Sequence, residues 1–276
     1  MKENTRRLID YSLPAVFENI LQTSVGFVDS VLIAKISLVA VSAVSLVNGV
    51  MAVYQAVFIA LAVAVATVVS NAAGARASKA VSENVRQSIA LSLMVGVILS
   101  ILSLVLAHPI LRAMGASGDI LQQGIIFFRV IAGTSVLIVL MTVLGQLIRT
   151  AGQTRTPLTI NLIVNILNFC LDFILIFGLF GFPRLGILGA GIGTALSRLI
   201  GVGLLFHKLQ QTSHRLQGPI FSRDQHIFKT EIVKRALPIM GERLMMRLGD
   251  IVIFVIIIAY GSKVFAGNAI GETITA

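Results

Sequence analysis

A small set of acidic and amide residues stands inside segments otherwise built from Val, Ile, Leu, Ala and Phe. Glu18, Gln22 and Asp29 follow one another at i, i+4 and i+11, which places them on one face of a helix. Asn161, Asn165, Asn168 and Asp172 repeat that arrangement at i, i+4, i+7 and i+11. An acidic side chain within an apolar helix is costly unless it meets a counter-charge, a polar partner or water, so it marks a pathway or a site. Amides alone would be read as interhelical hydrogen bonding. With Asp29 and Asp172 among them, the chemistry on offer is binding of a hard cation or of a proton. Asp29, Asp172, the amide oxygen of Asn168 and a hydroxyl such as Thr194 supply the several oxygens that a Na⁺-like ion wants. The same carboxylates, desolvated in a bundle, can take up a proton instead. The residues do not choose between these two. Gln22, Asn165 and Asp250 are candidates for lining a substrate cavity beside them.

Other constellations say less. Glu242, Arg243, Arg247 and Asp250 lie together in one apolar segment, where each carboxylate has an arginine about one turn away. A structural ion pair and a substrate-facing carboxylate are both open there. Gly189, Gly193, Ser197 and Gly201 recur every four residues as a small-residue ridge, which predicts close helix packing. Nucleophilic catalysis is not supported: His108 sits beside Pro109 at the end of an apolar run, and no Ser, Cys or Lys is suitably spaced from a base. The chain is therefore not expected to be an enzyme, and no organic cofactor or metal centre is expected beyond a Na⁺ at Asp29, Asn168 and Asp172.

The elements that must hold these residues follow from composition. Of 276 residues, 56% are apolar and 12% charged, there is no Trp, and the mean hydropathy is +0.94. Soluble chains run near about 45–50% apolar and roughly 25% charged, so the solvent here is lipid. Cys170 alone makes no internal disulfide. Apolar runs long enough to cross about 30 Å of hydrocarbon fall at 11–34, 48–70, 87–108, 120–147, 157–180, 186–206 and 237–260, and an eighth begins near 264. None alternates as barrel strands do, so the spans are helical. The first run is too long for a signal-peptide core and carries Glu18 and Asp29; it is expected to be retained as a span.

Charge sets the orientation. The N-terminus and the loops after spans 2, 4 and 6 hold 14 cations, namely Lys2, Arg6, Arg7, Arg76, Lys79, Arg86, Arg149, Arg155, Lys208, Arg215, Arg223, Lys229, Lys234 and Arg235. The opposite loops hold Lys35, Arg112, Arg184 and Lys263. This asymmetry predicts a cytoplasmic N-terminus. It leaves no basic soluble face for nucleic acid. His207, His214 and His226, in or near the longest polar connection, read as solvated loop residues. Leu13-Pro14 followed by Glu18 returns as Leu237-Pro238 followed by Glu242, an offset of 224, and Val28, Val31 and Ile33 recur as Val252, Val255 and Ile257. Six spans separate the copies, so both would enter the membrane in the same sense, as parallel transporter repeats do.

Several motifs in this order resemble the multidrug and toxin extrusion (MATE) family of transporters. They are Pro14 and Asp29 fifteen residues apart, Asn71-Ala72-Ala73-Gly74-Ala75-Arg76, Arg149 through Pro157, Asn168-x-x-x-Asp172, and Gly186-x-x-Gly189-Ala190-Gly191-Ile192-Gly193-Thr194. Residue 173 is Phe where many members have Pro. The resemblance implies a twelve-helix antiporter of two six-helix lobes in the cell (plasma) membrane. Such an antiporter exports small amphipathic or cationic organic compounds in exchange for Na⁺ or H⁺. By the same resemblance Asp29, Asn168, Asp172 and Thr194 match the cation or proton site of the N-terminal lobe, and Pro14 matches the proline at which the first helix bends. The expected fold is thus an all-α polytopic membrane bundle. Residues 1–210 would form a six-helix lobe, 211–230 a cytoplasmic inter-lobe loop, and 231–276 the truncated start of a second, parallel lobe whose remainder is missing. A lipid-linked oligosaccharide flippase of the same superfamily and a non-transporting membrane fragment are the alternatives. The flippase should line its cavity with several cations, for which the central spans offer mainly Arg198, Arg243 and Arg247.

Overall fold

The computed structural model describes residues 32–33, 35–218, 220 and 231–259, the side chains of 248 and 250–259 excepted. Pro14, Glu18, Gln22 and Asp29 lie outside the described residues, as do the side chain of Asp250 and the eighth apolar run. The described residues form helices and no strand. In chain order these are α1 Leu38–Gly74, α2 Ser78–Ala113, α3 Gly118–Gly133, α4 Ser135–Thr150, α5 Arg155–Phe177, α6 Ile187–Gln210 and α7 Glu231–Ala259. The chain is a multi-pass membrane protein: α1, α2, α5 and α6 are each long and apolar enough to cross a bilayer, and α3 with α4 makes a further, bent span. At 37 residues, α1 is about 55 Å long at roughly 1.5 Å per residue. That exceeds about 30 Å of hydrocarbon, and the helix starts at Leu38, before the span expected at 48–70, in a stretch that is itself mostly apolar.

Local signals set the ends. The Ser37 hydroxyl caps α1 by accepting from the Ala40 amide at 3.0 Å. Gly178 closes α5 at φ +72°, and a Cβ there would meet the Arg184 amide and Phe182 carbonyl at 2.8 and 2.9 Å, so both conformation and space demand glycine. Pro109 lies inside α2 rather than at its end.

The apolar run 120–147 reads as one span, whereas the structure breaks it at Thr134, with α3 and α4 bent by 40°. Thr134 Oγ1 donates to the carbonyls of Val130 and Ile131 at 2.8 and 3.0 Å, and the Thr134 amide also donates to the Val130 carbonyl at 3.2 Å. Hydropathy is blind to the break, because the residues around it remain apolar.

Buried apolar side chains fall into two clusters at opposite ends of the bundle. One joins 58–69 of α1 to 81–91 of α2, 139–148 of α4, Val164 of α5 and Leu205 of α6. The other joins 40–51 of α1 to Ala107 and Leu111 of α2, 127–132 of α3, Ile176 of α5 and Ala190 of α6. On α1, α2, α5 and α6, which reach both clusters, small or polar residues stand between the two: Tyr54; Gly96, Ser100 and Ser103; Asn168 and Asp172; and Gly193, Thr194 and Ser197; Thr134 and Ser135 mark where α3, in one cluster, gives way to α4, in the other. The bundle therefore carries a polar belt near its middle. Tyr54 packs against both clusters, and its hydroxyl lies 3.0 Å from Ser103 Oγ.

Candidate functional site

The best-defined part of the belt lies where α5 packs along α6. The outer face of α5 is apolar and exposed, as lipid contact requires, with Leu162, Ile163, Ile166, Phe169 and Phe173 on it. Phe173 stacks with Phe169 and meets Phe177 edge-on, and α5 runs straight through this position without the interruption that a proline would bring. On the opposite face Asn168 and Asp172, one turn apart, are 6% and 2% exposed. Asn165 and Asn161, further back on the polar stripe, are only half-buried.

Asn168 Nδ2 donates to Thr194 Oγ1 across the helix pair at 3.2 Å, and Thr194 Oγ1 donates in turn to the Ala190 carbonyl at 2.8 Å. The sequence expectation that Asn168, Asp172 and Thr194 belong together is thus met in geometry for Asn168 and Thr194. Asp172 joins them through its packing: a Cβ on Gly193 would collide with Asp172 Oδ1 and come within 3.1 Å of the Asp172 amide. The glycine ridge explains this closeness. Gly189 faces the Leu175 backbone, Gly193 faces Asp172, and Gly201 faces Val164, so each small residue admits the neighbouring helix. Read as packing alone, the ridge hides what Gly193 does, which is to leave room for a carboxylate. The available signal was its place next to Thr194 within the four-residue repeat.

The donor set is chemically coherent. With its nitrogen donating to Thr194, the Asn168 amide keeps its oxygen as an acceptor, and the Thr194 hydroxyl, having given its proton to Ala190, keeps a lone pair. A carboxylate, an amide oxygen and a hydroxyl suit a hard cation or a shared proton. Among the described residues no three His, Cys, Asp or Glu side chains gather as a transition-metal site would need.

One other expectation comes out differently. His214 is buried rather than solvated, at 4% exposure, with Nδ1 at 3.3 Å from both Thr150 Oγ1 and the Leu147 carbonyl. It is carried inward by the turn after α6, where Thr212 Oγ1 donates to the Leu209 carbonyl and accepts from the His214 amide. In α7, Arg243 and Arg247 turn toward α1, lining with Ala56, Ile59 and Met246 a recess of about 150 Å³. Asp250 Oδ atoms and Asp29 fall outside the described residues, so the second carboxylates of the expected site and cavity are not located.

Comparison with known proteins accords with this architecture. The MatE family model matches residues 14–174. A probable multidrug resistance protein NorM of Thermotoga maritima is 33% identical over 274 residues, covering 98% of this chain and 58% of its own length. Among solved structures, a MOP superfamily transporter from Pyrococcus furiosus Vc1 superposes with a TM-score of 0.86 at 25% identity, over 97% of this chain and 59% of its own. A crystal structure of MATE in the bent conformation gives 0.84 at 25% identity, over 94% and 57%. The chain thus spans less than two thirds of the length of these relatives.

Proposed function

The chain belongs to the MatE family, and on that premise we propose that it supplies the ion-coupled half of a secondary antiporter that exports organic cations in exchange for Na⁺ or H⁺. In this reading residues 1–210 form one lobe and residues from 231 begin its parallel partner. The cation or proton is held by Asp29, Asn168, Asp172 and Thr194. Gln22, Asn165 and Asp250 border the substrate path, and Pro14 is where the first helix bends. The NorM relative is named for drug resistance, and a structural relative is described in a bent conformation.

One observation carries the reading: a buried carboxylate, an amide and a hydroxyl meet across the α5–α6 contact at the level of the polar belt. Coupling-ion sites of secondary transporters lie near the middle of the bilayer, and this contact stands at the middle of the bundle within one lobe. Coupling then follows from competition. A cation or proton on the aspartates stabilises one arrangement of the first helix against α5, and a lipophilic cation stabilises another, so that loading one ligand expels the other.

A fluorescent organic cation bound to the purified protein should be displaced by Na⁺ or by acid. Asp29→Asn and Asp172→Asn should each weaken that displacement at least about tenfold, equivalent to roughly 1.4 kcal/mol of lost interaction. Unchanged displacement in both variants removes the site assignment.

A further inference from the structure

A second recess, of about 780 Å³, lies away from the α5–α6 contact, between the start of α2 and the segment that follows α6. Four cations line it: Arg76, Lys79, Arg86 and Arg215. Hydroxyls of Ser78, Ser82 and Ser213 share the lining, and among the described residues Glu83 is the carboxylate there, its Oε1 accepting from Gln87 Nε2 at 3.4 Å. The recess is on the side that the charge asymmetry assigns to the cytoplasm.

Cations on that side serve topology wherever they sit in the loops. Orientation does not require four of them to converge on one recess built from segments more than a hundred residues apart in the chain. Three local features hold them there. Arg76 adopts a left-handed backbone at φ +53°, a position where a helix end normally carries Gly or Asn, and so spends backbone strain on keeping a long cationic side chain at the rim. His214, buried against Thr150 and the Leu147 carbonyl, pins the backbone next to Arg215 onto the end of α4. The first turn of α2 has neither a side-chain cap nor an acidic residue; its Ser78 amide donates to the Arg76 carbonyl at 3.2 Å, which leaves the Lys79 and Ala80 amides for an anion.

We propose that this recess binds a phosphate group, presented either by an anionic lipid headgroup or by a soluble phosphate-bearing ion. The chemistry is specific to that class. Arginine forks pair with phosphate oxygens bidentately, Lys79 adds a point charge, and the serine hydroxyls and α2 amides supply neutral donors. A zwitterionic headgroup brings its own cation into the same crowd and is disfavoured. The proposal is independent of the ion site.

The test is native mass spectrometry of the chain in neutral detergent, titrated with phosphatidylglycerol, with phosphatidylcholine of the same acyl chains, and with inorganic phosphate. Phosphatidylglycerol should bind at least about tenfold more tightly than phosphatidylcholine, and the triple variant Arg76→Gln, Lys79→Gln, Arg215→Gln should lose that advantage. The triple Lys208→Gln, Lys234→Gln, Arg235→Gln removes as much charge from the same side outside the recess and should change binding less than about twofold. The swap Arg76→Lys, Lys79→Arg, Arg215→Lys keeps the charge but exchanges two arginine forks for one, and should weaken phosphatidylglycerol binding while leaving it tighter than that of phosphatidylcholine. Inorganic phosphate that binds with the same dependence on the three cations, without a selective lipid adduct, assigns the soluble source. Equal losses in the two glutamine triples, or equal affinity for the two lipids with no phosphate binding, overturns the proposal.

Discussion

Two helix pairs in this bundle approach each other through small residues, yet only one of them offers chemistry. Where α2 meets α4, a Cβ on Gly96 would stand 2.6 Å from the Val136 Cα, so the backbones are nearly in contact. Two serines of α2 turn their hydroxyls inward on their own helix, Ser88 donating to the Asn84 carbonyl at 2.6 Å and Ser92 to the Ser88 carbonyl at 2.7 Å, and the buried hydroxyls of Ser100 and Ser135 near Gly96 bond to nothing among the described residues. Where α5 meets α6, the approach is as tight, but Asn168 reaches across to Thr194 and the space opposite Gly193 is filled by Asp172. Close approach alone seals an interface. What distinguishes the α5–α6 contact is a carboxylate enclosed beside an amide and a hydroxyl that bond across it, where the α2–α4 contact encloses only isolated hydroxyls.

That contrast can be attacked from both sides. The largest effect is expected for Gly193→Val, which drives methyl groups into the Asp172 carboxylate. It should lower stability by about 3 kcal/mol, read as thermal unfolding in detergent, and should also abolish displacement of a bound organic cation by Na⁺ or acid. A Gly193→Val protein that unfolds normally and still responds to ions would separate the ridge from the site. Gly96→Ala should cost about 1–2 kcal/mol because the obstacle is backbone, while the ion response stays intact; loss of that response would erase the distinction between the two interfaces. Thr194→Val keeps the shape and removes the acceptor of Asn168, so about 1 kcal/mol and a severalfold weaker ion response are expected, measured by the same displacement titration. Ser92→Ala should be nearly silent, within about 0.5 kcal/mol, because its hydroxyl serves only its own helix. A large effect there would mean that the α2 stripe does more than pack.

How far the sequence could be read differs between these features for physical reasons. The helical fold was legible because lipid permits so few ways of satisfying a backbone, and runs of apolar residues announce them. That Asn168 and Asp172 share one helical face was legible because polar groups are conspicuous in apolar helices and these two stand four residues apart, whereas Thr194, on another helix, was singled out by the resemblance to the family. The break at Thr134 was not legible, since it falls inside an unbroken apolar run. Tyr54 escaped notice, and His214 was read as solvated, for a related reason. A single aromatic in a span and a single histidine in a loop carry no periodic signal, and only their neighbours, Ser103 in one case and Thr150 and Leu147 in the other, give them meaning.

By itself the sequence determined the solvent, the helices and the helical face on which each polar residue stands, because those depend on composition and on a period of about 3.6 residues. It could not determine the level at which those faces meet. Tertiary packing decided that two apolar clusters bracket α1, α2, α5 and α6, that small and polar residues of these helices stand between them, and that Gly193 stands opposite Asp172. Such alignment depends on how far each helix is shifted along its neighbours, a quantity fixed by side chains from several helices at once and written in none of them alone.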